Sequence, residues 1–224
     1  MLRQLFIIIF IVNSAILHAQ SQMKSYKTLS LGDSYTIGES VLPEERFINQ
    51  ALTTLRESGY AFAEPRIIAV TGWTTDELQK AIDEAHITAS FDLVTLLIGV
   101  NNQYRGRSAD EYRTEFVKLI EQAVQFASGK PNRVVVLSIP DWGVTPFAQD
   151  RDRKKIAEEI DLFNTINKQE TLNRGVHYLD ITAISRLAKD DVLLTANDKL
   201  HPSATMYALW AKPLAELFLN ELKN

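Results

Sequence analysis

The 224 residues contain no cysteine. That absence excludes disulfides, thiol catalysis and a lipoprotein signal, which needs a cysteine to acylate. Basic residues are also in short supply: 24 Lys and Arg stand against 28 Asp and Glu, a formal net charge of −4. With no basic cluster to meet phosphates, nucleic acid is not an expected partner. Linkers, low-complexity segments and internal repeats are missing too, so one domain is expected. A membrane-spanning helix needs roughly 20 apolar residues, and the clearly apolar run at the start of the chain, Leu5 to Val12, is too short to serve as an anchor. Preceded by Arg3 and followed by Ala19, it has the pattern of a secretory signal peptide over residues 1–20, cut after Ala19 or Gln20. Removal of Arg3 with it leaves 23 basic against 28 acidic residues, about −5. The domain over 21–224 is then periplasmic or secreted from a bacterium, without stable membrane insertion. About 200 residues suffice for a well-buried core.

What is present is an alternation of short apolar runs and amphipathic stretches. Strands are expected at Lys27–Leu31, Arg66–Val70, Leu93–Ile98, Arg133–Ile139 and Val176–Leu179. Several are apolar at consecutive positions, as in strands covered on both faces. Between them, Glu44–Ser58 sets Phe47, Ala51, Leu52 and Leu55 on one helical face and stops at Gly59. Thr74-Thr75-Asp76-Glu77 reads as a capping box opening a helix to about Glu84. Ala109–Phe126 and Ile156–Leu172 repeat the helical spacing, and Met206, Leu209, Trp210, Leu214 and Leu217 mark a last helix that Pro213 should kink or break. Strand and helix alternate, which predicts an α/β fold: a three-layer α/β/α sandwich around a five-stranded parallel sheet, flavodoxin-like, in the order 2-1-3-4-5.

Loops at the ends of parallel strands open onto a crevice, and that is where such folds place chemistry. Four stretches stand there: Gly32-Asp33-Ser34, Thr71-Gly72-Trp73, Gly99-Val100-Asn101-Asn102 and, near the C-terminus, Asp198-Lys199-Leu200-His201-Pro202. Ser34, where a strand stops, is a candidate nucleophile if a base reaches it.

In these four blocks, in this order, the sequence resembles the SGNH hydrolases, also called GDSL-like esterases and lipases. Gly32-Asp33-Ser34 matches the first block, Gly72 the second, Gly99-Val100-Asn101-Asn102 the third and Asp198 to His201 the last. Two departures stand out. Tyr35 replaces the leucine of the family name, and Asn102 replaces the usual aspartate, so an amide must do whatever that carboxylate does for its loop. The resemblance implies a serine ester hydrolase, with no metal and no cofactor. Esterases, lysophospholipases, thioesterases and carbohydrate deacetylases all occur in the family, so a small-molecule, glycan or lipid ester is the expected partner; oligomeric state is not encoded in any motif.

The chemistry of the residues agrees. Of the four histidines, His18 leaves with the signal, His86 falls near a helix end and His177 begins a strand. Only His201 has an acid close by and a stop behind it. Asp198, three residues earlier, can accept from one ring nitrogen and leave the other for Ser34, with Pro202 in the first turn of a following helix. The backbone N–H groups of Ser34 and Gly72 and the side chain of Asn101 would face an oxyanion. Asp33 is expected to hold its loop by accepting backbone N–H bonds. Tyr35, Trp73, Tyr104, Arg105 and Trp142 follow or flank the motif loops and are candidate pocket walls, Arg105 for a phosphate or carboxylate, and Asp141 to Phe147 forms a wall or lid. Two other functions fit the same donors: a non-catalytic module holding a carbohydrate or an anion, and acyl transfer to a sugar instead of water.

Overall fold

Runs such as Thr28–Gly32 and Leu93–Leu97 are buried at every position, so each needs cover on both faces and a strand on either side. The computed structural model, which describes residues 24–223, supplies both. The strands are β1 (Ser25–Tyr26), β2 (Thr28–Gly32), β3 (Ala61–Phe62), β4 (Arg66–Ala69), β5 (Leu93–Leu97), β6 (Val134–Leu137) and β7 (His177–Leu179). Five of them form a parallel sheet in the order β4-β2-β5-β6-β7, which is 2-1-3-4-5 when those strands are numbered along the chain. Leu31 stands between Ile68 and Leu96, and Val136 between Leu96 and Tyr178. The expected signal peptide lies outside the described residues.

The helices are α1 (Ser34–Ile37), α2 (Phe47–Glu57), α3 (Thr75–Glu84), α4 (Val100–Tyr104), α5 (Ala109–Phe126), α6 (Arg153–Asn173), α7 (Thr182–Ser185) and α8 (Ala204–Lys223). Helix α2 packs on α8, while α5 packs on both α3 and α6. With the sheet between, these layers make the three-layer α/β/α sandwich. Trp210, Tyr207, Phe47, Tyr112 and Phe116 are among the largest fully buried side chains. Among the described residues no helix is long and apolar enough to cross a membrane.

The departures from expectation have local causes. The strand expected to reach Ile139 ends at Leu137, because the Ile139 N–H bonds the Asn164 side chain at 2.7 Å and leaves the ladder. Val176 donates to Thr171 O at the end of α6, so β7 starts one residue late. The helix expected from Glu44 begins at Phe47: Pro43–Glu45 is a 3-10 turn, and Arg46 is extended. Pro213 does not break α8, which runs unbroken from Ala204 to Lys223. Strands β1 and β3, too short to show a period, form a separate parallel pair.

Candidate active site

The C-terminal ends of β2, β4 and β5 release the chain into three loops at one edge of the sheet, and a cleft of about 220 Å³ opens there. Ser34, Tyr35, Gly72, Asn101, Tyr104, Trp142 and His201 all line it. Thr71, Val100, Phe147 and Leu200 complete the wall, each within a stretch expected to face it though not singled out there.

Ser34 is the first residue of α1. The preceding Asp33 caps that turn, its side chain accepting from Tyr35 N–H at 3.1 Å and its carbonyl from the N–H groups of Thr36 and Ile37. These bonds fix the serine between strand and helix. Gly72 has φ +89, a region that glycine enters freely, and the Trp73 N–H closes the turn on Val70 O at 3.3 Å. Asn101 sits in the first turn of α4 and donates one amide N–H to Trp73 O at 2.9 Å.

His201 is buried, and its Nδ1 lies 2.6 Å from Asp198 Oδ2. The same carboxylate accepts from the Leu200 and His201 N–H groups, each at 2.9 Å, and from the Ser40 hydroxyl at 2.7 Å. Burial works against charge on Asp198, but the hydrogen bonds from Ser40, the His201 ring and the two amides outweigh it and hold the carboxyl at about 2. Ser40 carried no sequence signal for this role, since it meets Asp198 across 158 positions of chain. Pro202 is not in the following helix, which starts at Ala204. Its segment is held instead by a bridge between Thr195 and Pro202 and by the Ala196 N–H donating to His201 O at 2.7 Å. The other histidines lie elsewhere: His177 Nε2 meets Glu221 Oε1 at 2.9 Å, and His86 is in the turn after α3.

Two of the expected pocket residues are not in the wall. Trp73 packs half-buried against the core. Arg105 has its guanidinium engaged, donating from Nη2 to Gly72 O at 2.6 Å and from Nη1 to Glu77 Oε1 at 3.2 Å. Asn102 is fully buried and performs the loop duty expected of it, accepting from Thr75 N–H at 3.1 Å and donating to Thr75 Oγ1 at 2.6 Å. The stretch after β6 folds into two 3-10 turns that make a wall. In it Trp142 stands edge-on to both Tyr104, at 5.3 Å, and Phe147, at 6.1 Å. The indole N–H is fixed on Gln103 Oε1 at 2.8 Å, and Phe147 N–H donates to Lys199 O, tying this wall to the histidine loop.

The lining holds no Asp, Glu, Lys or Arg side chain, and burial and the nearby Asp33 push the phenol of Tyr35 well up. Among the described residues no group of three or more His, Asp or Glu is placed to hold a metal ion. The arrangement therefore offers a hydroxyl, an imidazole backed by a carboxylate, and neutral donors.

The profile of the GDSL-like Lipase/Acylhydrolase family matches residues 30–209. Among curated proteins none matches by sequence. Of solved structures, the psychrotrophic esterase EstA of Pseudoalteromonas sp., inhibited by monoethylphosphonate, superposes with a TM-score of 0.67 at 15% identity, covering 89% of this chain and 100% of that one. An acetyl xylan esterase variant from Geobacillus stearothermophilus gives 0.66 at 18% identity over 88% and 96% of the two chains. A lipase/acylhydrolase from Enterococcus faecalis gives 0.65 at 19% over 88% and 95%.

Proposed function

The chain belongs to the GDSL-like lipase/acylhydrolase family and is a carboxylic ester hydrolase, and on that premise we propose that Ser34, His201 and Asp198 form its catalytic triad, acting on small neutral acyl esters. The observation that carries this is the 2.6 Å contact of His201 Nδ1 with Asp198 Oδ2, on a ring that lines the same cleft as Ser34. With its proton on Nδ1 and bonded to the carboxylate, the imidazole has a lone pair on Nε2. Nε2 takes the proton of Ser34 Oγ as that oxygen adds to the ester carbonyl, and then gives the proton to the departing alcohol. The acyl-serine that remains is hydrolysed when water, deprotonated by the same nitrogen, attacks its carbonyl. In both steps the negative charge gathers on the carbonyl oxygen. The backbone N–H groups of Ser34 and Gly72 and the second amide N–H of Asn101, whose first is held by Trp73 O, are its donors.

The walls favour a small neutral acyl group. A volume of about 220 Å³ is below the roughly 300–1,000 Å³ usual for drug-sized ligands, and its sides are apolar and aromatic. Arg105, engaged with Gly72 and Glu77, offers no phosphate anchor, which weighs against a lysophospholipid. The half-exposed rings of Tyr104 and Phe147 beside Trp142 suit the apolar face of an alcohol at the mouth. Secretion rests on the leader read from residues 1–20, and N-terminal sequencing of exported protein tests it.

Labelling with a fluorophosphonate decides the catalytic assignment. Wild-type protein is expected to label, whereas Ser34→Ala neither labels nor turns over p-nitrophenyl esters, and His201→Ala loses most of its turnover. Unimpaired hydrolysis by Ser34→Ala would end the assignment, and wild-type protein that stays unlabelled would favour a binding module.

A further inference from the structure

The geometry points to Arg105 as a positioning residue that holds the Gly72 turn in register with Ser34, an inference that rests on the oxyanion role proposed for Gly72. Gly72 and Trp73 form a turn with weak backbone anchorage: β4 has ended at Ala69, the Trp73 N–H to Val70 O bond, at 3.3 Å, is long, and ahead of the glycine only the Thr71 hydroxyl is tied down, to the Glu39 carboxylate. Glycine at φ +89 adds freedom, since without a Cβ it can rotate its two peptide planes at small cost. Yet an oxyanion donor is useful only if its N–H is already aimed when charge develops.

The short helix α4 supplies what the turn lacks. Asn101, in its first turn, donates to Trp73 O at 2.9 Å, and Arg105, at its C-terminal end, donates to Gly72 O at 2.6 Å. Two consecutive carbonyls are thus gripped by side chains one helical turn apart. The Arg105 N–H is itself bonded to Asn101 O at 3.0 Å, so both grips move as one body. Asn102, between them, pins Thr75 beyond the turn.

Glu77 completes the clamp. One of its carboxylate oxygens accepts from Arg105 Nη1 at 3.2 Å, and the other accepts from Thr74 N–H at 2.9 Å in the cap of α3. The guanidinium is a planar fork, able to serve Gly72 O and Glu77 in one fixed orientation. As a stabilising ion pair it counts for little, because the Arg105 and Glu77 side chains are 42% and 39% exposed. What it fixes is direction: the peptide plane between Gly72 and Trp73 is held, which leaves the Gly72 N–H only the rotation of the plane before it.

The test compares Arg105→Ala, Arg105→Lys and Glu77→Gln with wild type on a neutral p-nitrophenyl ester, with fluorophosphonate labelling in parallel. Arg105→Ala is expected to lower kcat and the labelling rate together by about tenfold to a hundredfold, with KM changed by no more than about twofold. Arg105→Lys recovers part of that loss, Glu77→Gln shows a smaller one, and the thermal midpoint stays within a few degrees. Methylguanidinium added to Arg105→Ala restores kcat saturably while leaving wild type unaffected, a response that a lost packing contact would not give. Wild-type kcat in Arg105→Ala, or a rise in KM at unchanged kcat, overturns the clamp. Those outcomes are separate from failure of the triad, which would show as unlabelled wild type or an active Ser34→Ala.

Discussion

Asp33 lies directly before the proposed nucleophile, buried, with Oδ1 bonded to Tyr35 N–H and Oδ2 without a hydrogen-bond partner among the described residues. Burial pushes its carboxyl up to about 7 from an ordinary 3.8, against the lowering effect of backbone hydrogen bonds. A folded-state pKa above the unfolded one means that the native chain binds the extra proton between these two values, so stability falls as pH rises through that window. Wild-type protein is therefore expected to unfold at lower urea at pH 8 than at pH 5. Asp33→Asn, which keeps an acceptor for Tyr35 N–H but carries no charge, should show a much flatter profile; equal slopes in the two proteins would refute the assignment. The neighbouring asparagines should separate in a different way. Asn101→Ala removes a proposed oxyanion donor and is expected to lower kcat on the order of 100-fold. Asn102→Ala strips a buried partner from Thr75 and should cost about 1–3 kcal/mol in denaturant unfolding.

At the scale of elements, β2 and β5 approach closely where both strands end, just ahead of the site. A Cβ on Gly32 would stand 2.3 Å from Leu97 O and 2.2 Å from Thr36 Oγ1. The first of these is sheet backbone and cannot rotate away, so Gly32→Ala should cost on the order of 3 kcal/mol, read as a lower urea midpoint or loss of soluble protein. Much of this scale was legible in the sequence. The largely apolar run Leu93–Leu97, broken only by Thr95, and the unbroken one of Val134–Leu137 marked buried parallel strands, and Ala109–Phe126 announced its helix by spacing alone. Strand ends were less legible where a distant side chain takes the next N–H, as Asn164 does at Ile139. The same limit applies to the site. The first three blocks lie at strand ends and so converge by topology, and the chain after β7 brings the fourth to them, whereas Ser40 reaches Asp198, and Arg105 turns back to Gly72, through contacts that no local pattern encodes.

The whole molecule carries a formal charge of −4, while its cleft is lined by no Lys, Arg, Asp or Glu side chain. An anionic substrate thus meets a repelling field outside and no cation within. For a hemisuccinate ester, kcat/KM should lie below that of the matching neutral ester and rise with ionic strength as the repulsion is screened, whereas the neutral ester should show little salt dependence. Stopped assays at 10 mM and about 150 mM salt, spanning Debye lengths of roughly 30 to 8 Å, check this directly. The small parallel pair β1 and β3 bears on a practical matter. It fastens Ser25–Tyr26 beside the edge where the sheet strands begin, and the Lys27 N–H adds a bond to Asp92 Oδ2 at 2.9 Å. The cleft opens at the edge where they end. A tag joined at Lys24 therefore attaches at the pole remote from Ser34, and enzyme coupled to a bead by that route faces its mouth to the bulk solution.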